Sequence, residues 1–367
     1  MTSIDPVISV VASHQSWVKP WPADKVESVP TCPVCGSAAR EVLHEGLIDN
    51  VFFVAPGRWI LHSCKQCASA YLDPRPTSDS IHLAYASYYT HQKSVSLQKD
   101  DYTSLGLFRK LRRRLFNGFT NWRYSTCSHP SSSLGIVVGF AMPRLRKFWD
   151  HQYRHMPRLP KGGGKLLDVG CGEGSFLRLA QSVGWDVIGL DPDPKAVTNA
   201  ADQGLTVYEG GVEYFNGKTE LFDVITLSNV IEHLHEPVKV LAACYTLLKP
   251  GGELWLETPN IDSFGHLRFG KNWRGLETPR HLVLFSRHSL RLCFIHAGFP
   301  LPRDLPRPNL CASMYRASSL IEHGYSPYEG RAAPRGMRVW AAIAAFAEML
   351  LPSRCEFLIV KARKPRA

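Results

Sequence analysis

The chain has 367 residues, a formal net charge of +11 and ten cysteines. That length can bury a large core, and the ordinary apolar and charged fractions argue against a disordered or fibrous protein. No apolar run is long enough to span a bilayer, the longest lying at Leu134–Met142 and Val339–Leu351. Met1 to Val11 lacks a basic stretch ahead of its apolar residues, so no secretory signal is read and a cytoplasmic protein is expected.

Residues 1–30 contain Pro and Trp without periodicity and are expected to be an extended lead-in. Next come Cys32-Pro33-Val34-Cys35 and, later, Cys64-Lys65-Gln66-Cys67. Two knuckles of this spacing bring four thiolates together, the donor set of a closed structural Zn2+ site. Cys32, Cys35, Cys64 and Cys67 are therefore the expected metal ligands. Four thiolates leave no position for water, which argues against catalytic zinc. Between the knuckles, 51–54 and 59–62 read as two strands about the turn Ala55-Pro56-Gly57.

Residues 99–165 carry fourteen Lys and Arg against three Asp and Glu, which equals the whole excess of the chain. Cations alternate with apolar residues at Arg109–Phe116 and Pro143–Trp149, a pattern for amphipathic helices. Three readings stand for this segment: a solvated cover over a cleft, a surface for anionic lipid or a lipid-linked phosphate substrate, or a nucleic-acid footprint.

From Lys165 an apolar strand runs to Asp168, breaks into Gly170-Cys171-Gly172-Glu173-Gly174, and resumes at helical spacing. Such a turn presents backbone N–H groups and a positive helix end to a ligand. A second strand ends in Asp191, where doubly wound sheets place an acid against a ribose diol. Asp168 would repel pyrophosphate but suits an ammonium group. A ligand with a ribose diol and an amino acid but no phosphate is S-adenosyl-L-methionine (SAM). Further strands follow at 205–208, at 222–228 before Asn229-Val230-Ile231-Glu232-His233-Leu234, and after Pro250-Gly251-Gly252.

This ordered set resembles the class I SAM-dependent methyltransferases, and the cysteine knuckles together with Pro279-Arg280-His281-Leu282-Val283-Leu284-Phe285-Ser286 are similar to a zinc-ribbon bacterial subfamily of them. The resemblance implies an α/β, Rossmann-like sheet with a small N-terminal zinc ribbon and a helical basic insert. It divides the chain into the lead-in, a ribbon and Tyr-rich connector (31–98), the basic helical segment (99–160) and a SAM-dependent domain (161–367). It implies SAM contacts from Asp168, Gly170, Cys171, Gly172, Gly174, Asp191, Pro192, Gly211, Val212, Glu213, Ser228, Asn229 and Val230. Tyr88 and Tyr89 would line the substrate cleft, or pack the ribbon against the main domain.

Moving a methyl group to a hydroxyl requires removal of a proton, which histidine suits. His281 is the first candidate base, with orientation of its loop as the alternative. His233 has a structural or SAM-side role, or takes part in catalysis. Arg280 would grip an anionic group of the substrate, or pair with Glu277. Ser228-Asn229-Val230-Ile231 lacks the Pro-Pro-aromatic stretch of nucleobase amine methylation, and no acidic cluster for catechol-type transfer is visible. The expected activity is O-methylation of a small molecule or glycan. Alternatives are sugar C-methylation, and an RNA-binding or RNA-modifying protein using the ribbon and basic segment. Peripheral contact with an anionic membrane is expected from the second reading of residues 99–165.

Overall fold

A computed structural model describes residues 19–85, 105–332 and 334–366. Tyr88 and Tyr89, most of the lead-in and the start of the basic segment lie outside the described residues.

The N-terminal strands are β1 (Val26–Glu27), β2 (Arg40–Leu47), β3 (Trp59–Cys64), β4 (Ala70–Leu72) and β5 (Arg75–Pro76). Three helices follow, α1 (Leu107–Tyr124), α2 (Leu134–Ala141) and α3 (Pro143–Gln152). The next elements alternate: β6 (Lys165–Val169), α4 (Ser175–Ser182), β7 (Asp186–Asp191), α5 (Pro194–Ala201), β8 (Val207–Glu209), β9 (Phe222–Ser228), α6 (Pro237–Leu247) and β10 (Leu248–Pro259). The chain closes with α7 (Phe264–Phe269), β11 (Val283–Leu284), α8 (Arg287–His296), β12 (Arg303–Asp304), α9 (Cys311–Glu322), α10 (Met337–Leu350) and β13 (Phe357–Arg363).

Seven strands form one sheet in the order β12-β13-β10-β9-β6-β7-β8. Strands β6 to β10 are parallel, and β13 and β12 add antiparallel at one edge. The run Leu166 to Val169 is buried throughout, as a central parallel strand with helices on both faces requires. The order reverses between β6 and β9, so the crevice for a ligand lies at their C-terminal ends. This is the α/β sheet expected from the sequence.

The ribbon departs from expectation. Residues 51–54 are a turn rather than a strand, and β3 pairs instead with β2. The cause is Asp49, whose carboxylate accepts N–H bonds from Phe52 (3.1 Å), Val54 (3.0 Å) and Ala55 (2.9 Å). Donors that a strand would spend on a neighbour are drawn onto one side chain.

The fourth strand of the ribbon sheet comes from far away. β11 pairs antiparallel with β4, so the sheet runs β11-β4-β3-β2. A buried ion pair locks this junction: Arg280 donates from both terminal nitrogens to Asp49, at 3.0 and 2.9 Å, with both residues fully enclosed. The Arg280 guanidinium also lies 4.4 Å from the centre of the Phe52 ring. Asp49 thus accepts five hydrogen bonds. The expected role of Arg280 as a grip for an anionic substrate, and its alternative pairing with Glu277, give way to this partner.

Helices α1 and α2 pack at close range. A Cβ on Gly135 would fall 1.9 Å from the carbonyl oxygen of Leu115, so only glycine allows the approach. Phe119, Tyr124, Trp149 and Tyr153 then bury against β6, β7 and α4 in one cluster. No described helix is long and apolar enough to cross a membrane.

Truncating one partner of a buried ion pair leaves the other charge uncompensated, at about 3–5 kcal/mol. Arg280→Ala is expected to lower unfolding free energy by that amount in urea titrations. The same truncation at Arg331, in an exposed pair with Glu329, should cost under about 1 kcal/mol.

Candidate functional site

The end of β6 carries Asp168, which is wholly buried between β7 and β9. One carboxylate oxygen is bound by the Arg154 guanidinium and by the Thr226 hydroxyl (2.8 Å). The other, Oδ2, is buried without a partner. Burial pushes this carboxyl up from its ordinary value, and Arg154 and Thr226 pull it back. Arg154 follows α3 in the chain, donates also to Thr226 (3.0 Å), and rests 3.8 Å above the Phe176 ring.

The glycine turn is clamped to the end of β7. N–H groups of Gly170 and Cys171 donate to the Leu190 carbonyl at 2.7 and 3.0 Å. Asp191 accepts from the N–H of Gly172 (2.8 Å) and of Asp193 (3.0 Å). Burial raises the Asp191 carboxyl, and these N–H groups lower it. At Gly170, with φ of +68°, a Cβ would fall 2.4 Å from Val230. At Gly172, with φ of +54°, the same atom would meet nothing within 4 Å. One glycine packs against the β9 loop, and the other opens toward space beside Asp191.

A carboxylate oxygen without a partner, an open glycine backbone and a second carboxylate at the adjacent strand end suit an amino acid joined to a ribose. These residues fit SAM. The neighbouring loops complete the rim. Val212 is buried, exposed Glu213 folds back to accept the Gly211 N–H (2.6 Å), and Pro192 is exposed. Asn229, with φ of +53°, donates its N–H to the Glu257 carbonyl (2.9 Å), between half-buried Ser228 and Val230. Burial raises the Cys171 thiol well above its usual range, so it is no nucleophile.

A second polar group is assembled where the loop after β10 meets the loop after β9. The Leu282 N–H donates to the Glu232 carbonyl (2.7 Å), setting the His281 ring 4.7 Å from that of His233. His281 Nδ1 lies 2.7 Å from the Gly275 carbonyl and His233 Nδ1 lies 3.0 Å from the Arg280 carbonyl. A carbonyl only accepts, so each Nδ1 carries the proton and each Nε2 keeps its lone pair. The Tyr85 hydroxyl is also 3.0 Å from His233 Nδ1. Burial lowers both imidazoles, His281 to about 3, so both are neutral near pH 7. Burial works against the Glu277 carboxylate, but Arg274, with His281 and Arg280 beyond it, holds it at about 2. Glu232 is the reverse case, raised by burial to about 8 despite a 2.9 Å bond from the Thr258 hydroxyl.

In the ribbon, the sulfurs of Cys32, Cys35, Cys64 and Cys67 all lie within 4.8 Å of one another. Cys32 and Cys67 are 3.6 Å apart and Cys35 and Cys64 3.5 Å, spacings that suit a tetrahedral ion. Each knuckle turns through a left-handed residue, Gly36 or Ala68, whose N–H returns to the first cysteine's carbonyl (2.9 Å in both).

Nothing in the sequence points to Arg154 or Thr226 at this site, and it offers Glu277 only as a partner for Arg280 and Glu232 only as part of a motif. Arg154 is one cation among fourteen in its segment, and only the strand-end acid fourteen residues on hints at its partner. Glu232 stands in the Glu-His-Leu run but has no neighbour in sequence that explains it.

Residues 143–301 match the family model described as "Methyltransferase domain". This part of the chain is thus similar to a methyltransferase domain. The matched stretch begins at the first residue of α3, so Arg154 lies inside it. The chain is 36% identical over 120 residues to a ubiquinone biosynthesis O-methyltransferase of Thiobacillus denitrificans, covering 30% of this chain and 50% of that one. It is 33% identical to the mitochondrial protein of that name from Rattus norvegicus, over 29% of this chain and 34% of that one. The chain spans about half the length, or less, of these curated relatives. Among solved structures it is similar to a SAM-dependent methyltransferase from Mesorhizobium loti, at 19% identity, with 59% of this chain and 96% of that one covered and a TM-score of 0.39.

Proposed function

We propose that the chain is a SAM-dependent methyltransferase that methylates an oxygen of a small molecule or glycan. The observation that carries this reading is the buried, unpartnered Asp168 oxygen beside the open Gly172 backbone and Asp191. When bound, SAM supplies a methyl group on a sulfonium, transferred by in-line displacement.

The chain's own groups divide the rest. Asp168, with its free oxygen, holds the ammonium end, and Arg154 is placed to meet the carboxylate. Gly172 lets the backbone close on the ligand, and Asp191 holds that turn while facing the ribose. Val212 and Glu213 border the base, and Ser228 to Val230 close the opposite side. Neutral His281, with a lone pair on Nε2, accepts the proton of the acceptor hydroxyl, and His233 supports it. That the relatives from Thiobacillus denitrificans and Rattus norvegicus are named O-methyltransferases supports oxygen as the acceptor atom. The four cysteines hold a structural Zn2+ that fixes the ribbon.

A second, compatible reading is that the protein docks on an anionic membrane surface. Leu107 and Phe108 on α1, Val137 and Phe140 on α2, and Trp340 and Phe346 on α10 are all more than half exposed. Arg144 reaches the Met349 sulfur (3.5 Å), which sets the apolar face of α10 beside the start of α3. Arg109, Lys110 and Arg112 to Arg114 lie on α1 and Arg144 and Lys147 on α3, which gives these helices the mixed cationic and apolar composition of an interfacial surface.

Incubation of the protein with methyl-labelled SAM and fractionated cell extract should place label in metabolites or glycans. Label in RNA alone would overturn the reading and favour the RNA-directed alternative. Asp191→Ala is expected to weaken SAM binding by at least about tenfold by calorimetry, because the Gly172 turn loses its acceptor. His281→Ala should cut kcat by about 100-fold or more with SAM affinity kept, and full kcat in this variant would remove His281 as the base. Co-sedimentation is expected with vesicles containing phosphatidylglycerol but not with phosphatidylcholine alone, weakening with salt and lost in Phe140→Asp/Phe346→Asp.

A further inference from the structure

We propose that Glu232, His233 and His281 form a binding site for a divalent transition-metal ion, separate from the four-cysteine cluster. One donor atom of each residue lies within 4.8 Å of the other two. Ligand bonds of about 2.0–2.2 Å put adjacent donors roughly 3–4 Å apart, so small side-chain rotations bring all three onto one ion.

Three independent features fit. First, both imidazoles spend Nδ1–H on backbone carbonyls, those of Arg280 and Gly275. Metal-binding histidines are commonly held in this way, with the second nitrogen left to the ion. Second, Glu232 is oriented by the Thr258 hydroxyl on Oε2, while Oε1 is wholly buried without a partner. Buried carboxylate oxygens normally find a donor or a cation. Third, charge leaves a gap of the right sign. Arg274 pairs with Glu277 and Arg280 with Asp49, and no cationic side chain among the described residues pairs with Glu232. Of Asp49, Glu232 and Glu277, Glu232 is thus the carboxyl left without a cationic partner, and a metal ion would supply one.

Two imidazoles and a carboxylate suit Zn(II), Fe(II), Co(II) or Mn(II) rather than the all-oxygen shells of Mg(II) or Ca(II). Three protein ligands leave open positions, the arrangement of a catalytic rather than a structural ion. The role of the ion, though not its binding, rests on the methyltransferase reading. An acceptor hydroxyl that coordinates it becomes more acidic, and His281 then serves as a ligand rather than as the base. The sequence shows no acidic cluster of the catechol-transferase kind, and this mixed set appears only once the two loops meet.

Co(II) added to the full-length protein, with zinc retained in the cysteine cluster, tests the site without SAM or acceptor. One Co(II) per chain is expected, with weak visible bands of nitrogen and oxygen ligation and no thiolate charge-transfer band. Glu232→Gln and His281→Gln should each lower Co(II) affinity by at least about tenfold with zinc content unchanged. Circular dichroism checks that each is folded, and His233→Gln replaces either one that is not. Absence of Co(II) binding, a thiolate band, or affinity unchanged in these folded variants would overturn the site and leave the His281 base reading standing. Co(II) binding in a protein that transfers no label from SAM would instead uphold the site and overturn the methyltransferase reading.

Discussion

The buried ion pair between Asp49 and Arg280 is the constraint on which the rest of this molecule depends. Each member serves a different body of the chain. Asp49 gathers the backbone of 52–55 into the turn that precedes β3, and Arg280 belongs to the loop that carries His281. Two charges removed from water are stable there only because the guanidinium meets both oxygens and the backbone N–H groups fill the remaining lone pairs. The loop bearing His281 is thereby built on the ribbon as much as on the α/β sheet. Further bonds run the same way, from Leu72 to Leu282 and from His296 to Val34.

The polar interior around His233 and His281 follows from that attachment. Because that loop is covered by the ribbon, the imidazoles and carboxylates where it meets the loop after β9 lie in a low-dielectric setting. Burial there depresses histidine, raises Glu232, and makes Glu277 depend on Arg274 for its charge. Two nearby glutamates are thus driven in opposite directions by whether a guanidinium stands beside them. Such divergence is the usual mark of a site prepared for chemistry.

What was legible in the sequence was what short range decides. The glycine turn, the strand ends at Asp168 and Asp191 and the cysteine spacing each involve residues close together in the chain, where period and turn chemistry act directly. Partners far apart were not legible. Arg280 finds Asp49 across 231 residues, and no local pattern distinguishes that guanidinium from one aimed at a substrate. The strand expected at 51–54 failed for a related reason. Its apolar residues fit a strand, but a single carboxylate two residues upstream captured the backbone donors. Arg154 was hidden by abundance, one cation among fourteen in a basic segment, with nothing in the local pattern to mark it as turned inward.

The pairing of β11 with β4 also imposes an order on synthesis. Tyr71 and Val283 are partners, yet 212 residues separate them. At about 5–20 residues per second, a ribosome takes roughly 10–40 s to make the intervening chain. For that interval the nascent ribbon sheet has an open edge at β4, with backbone groups that any extended segment could match. The α/β strands from β6 to β10 emerge during the same wait, so the ribbon sheet is begun before them and completed after them.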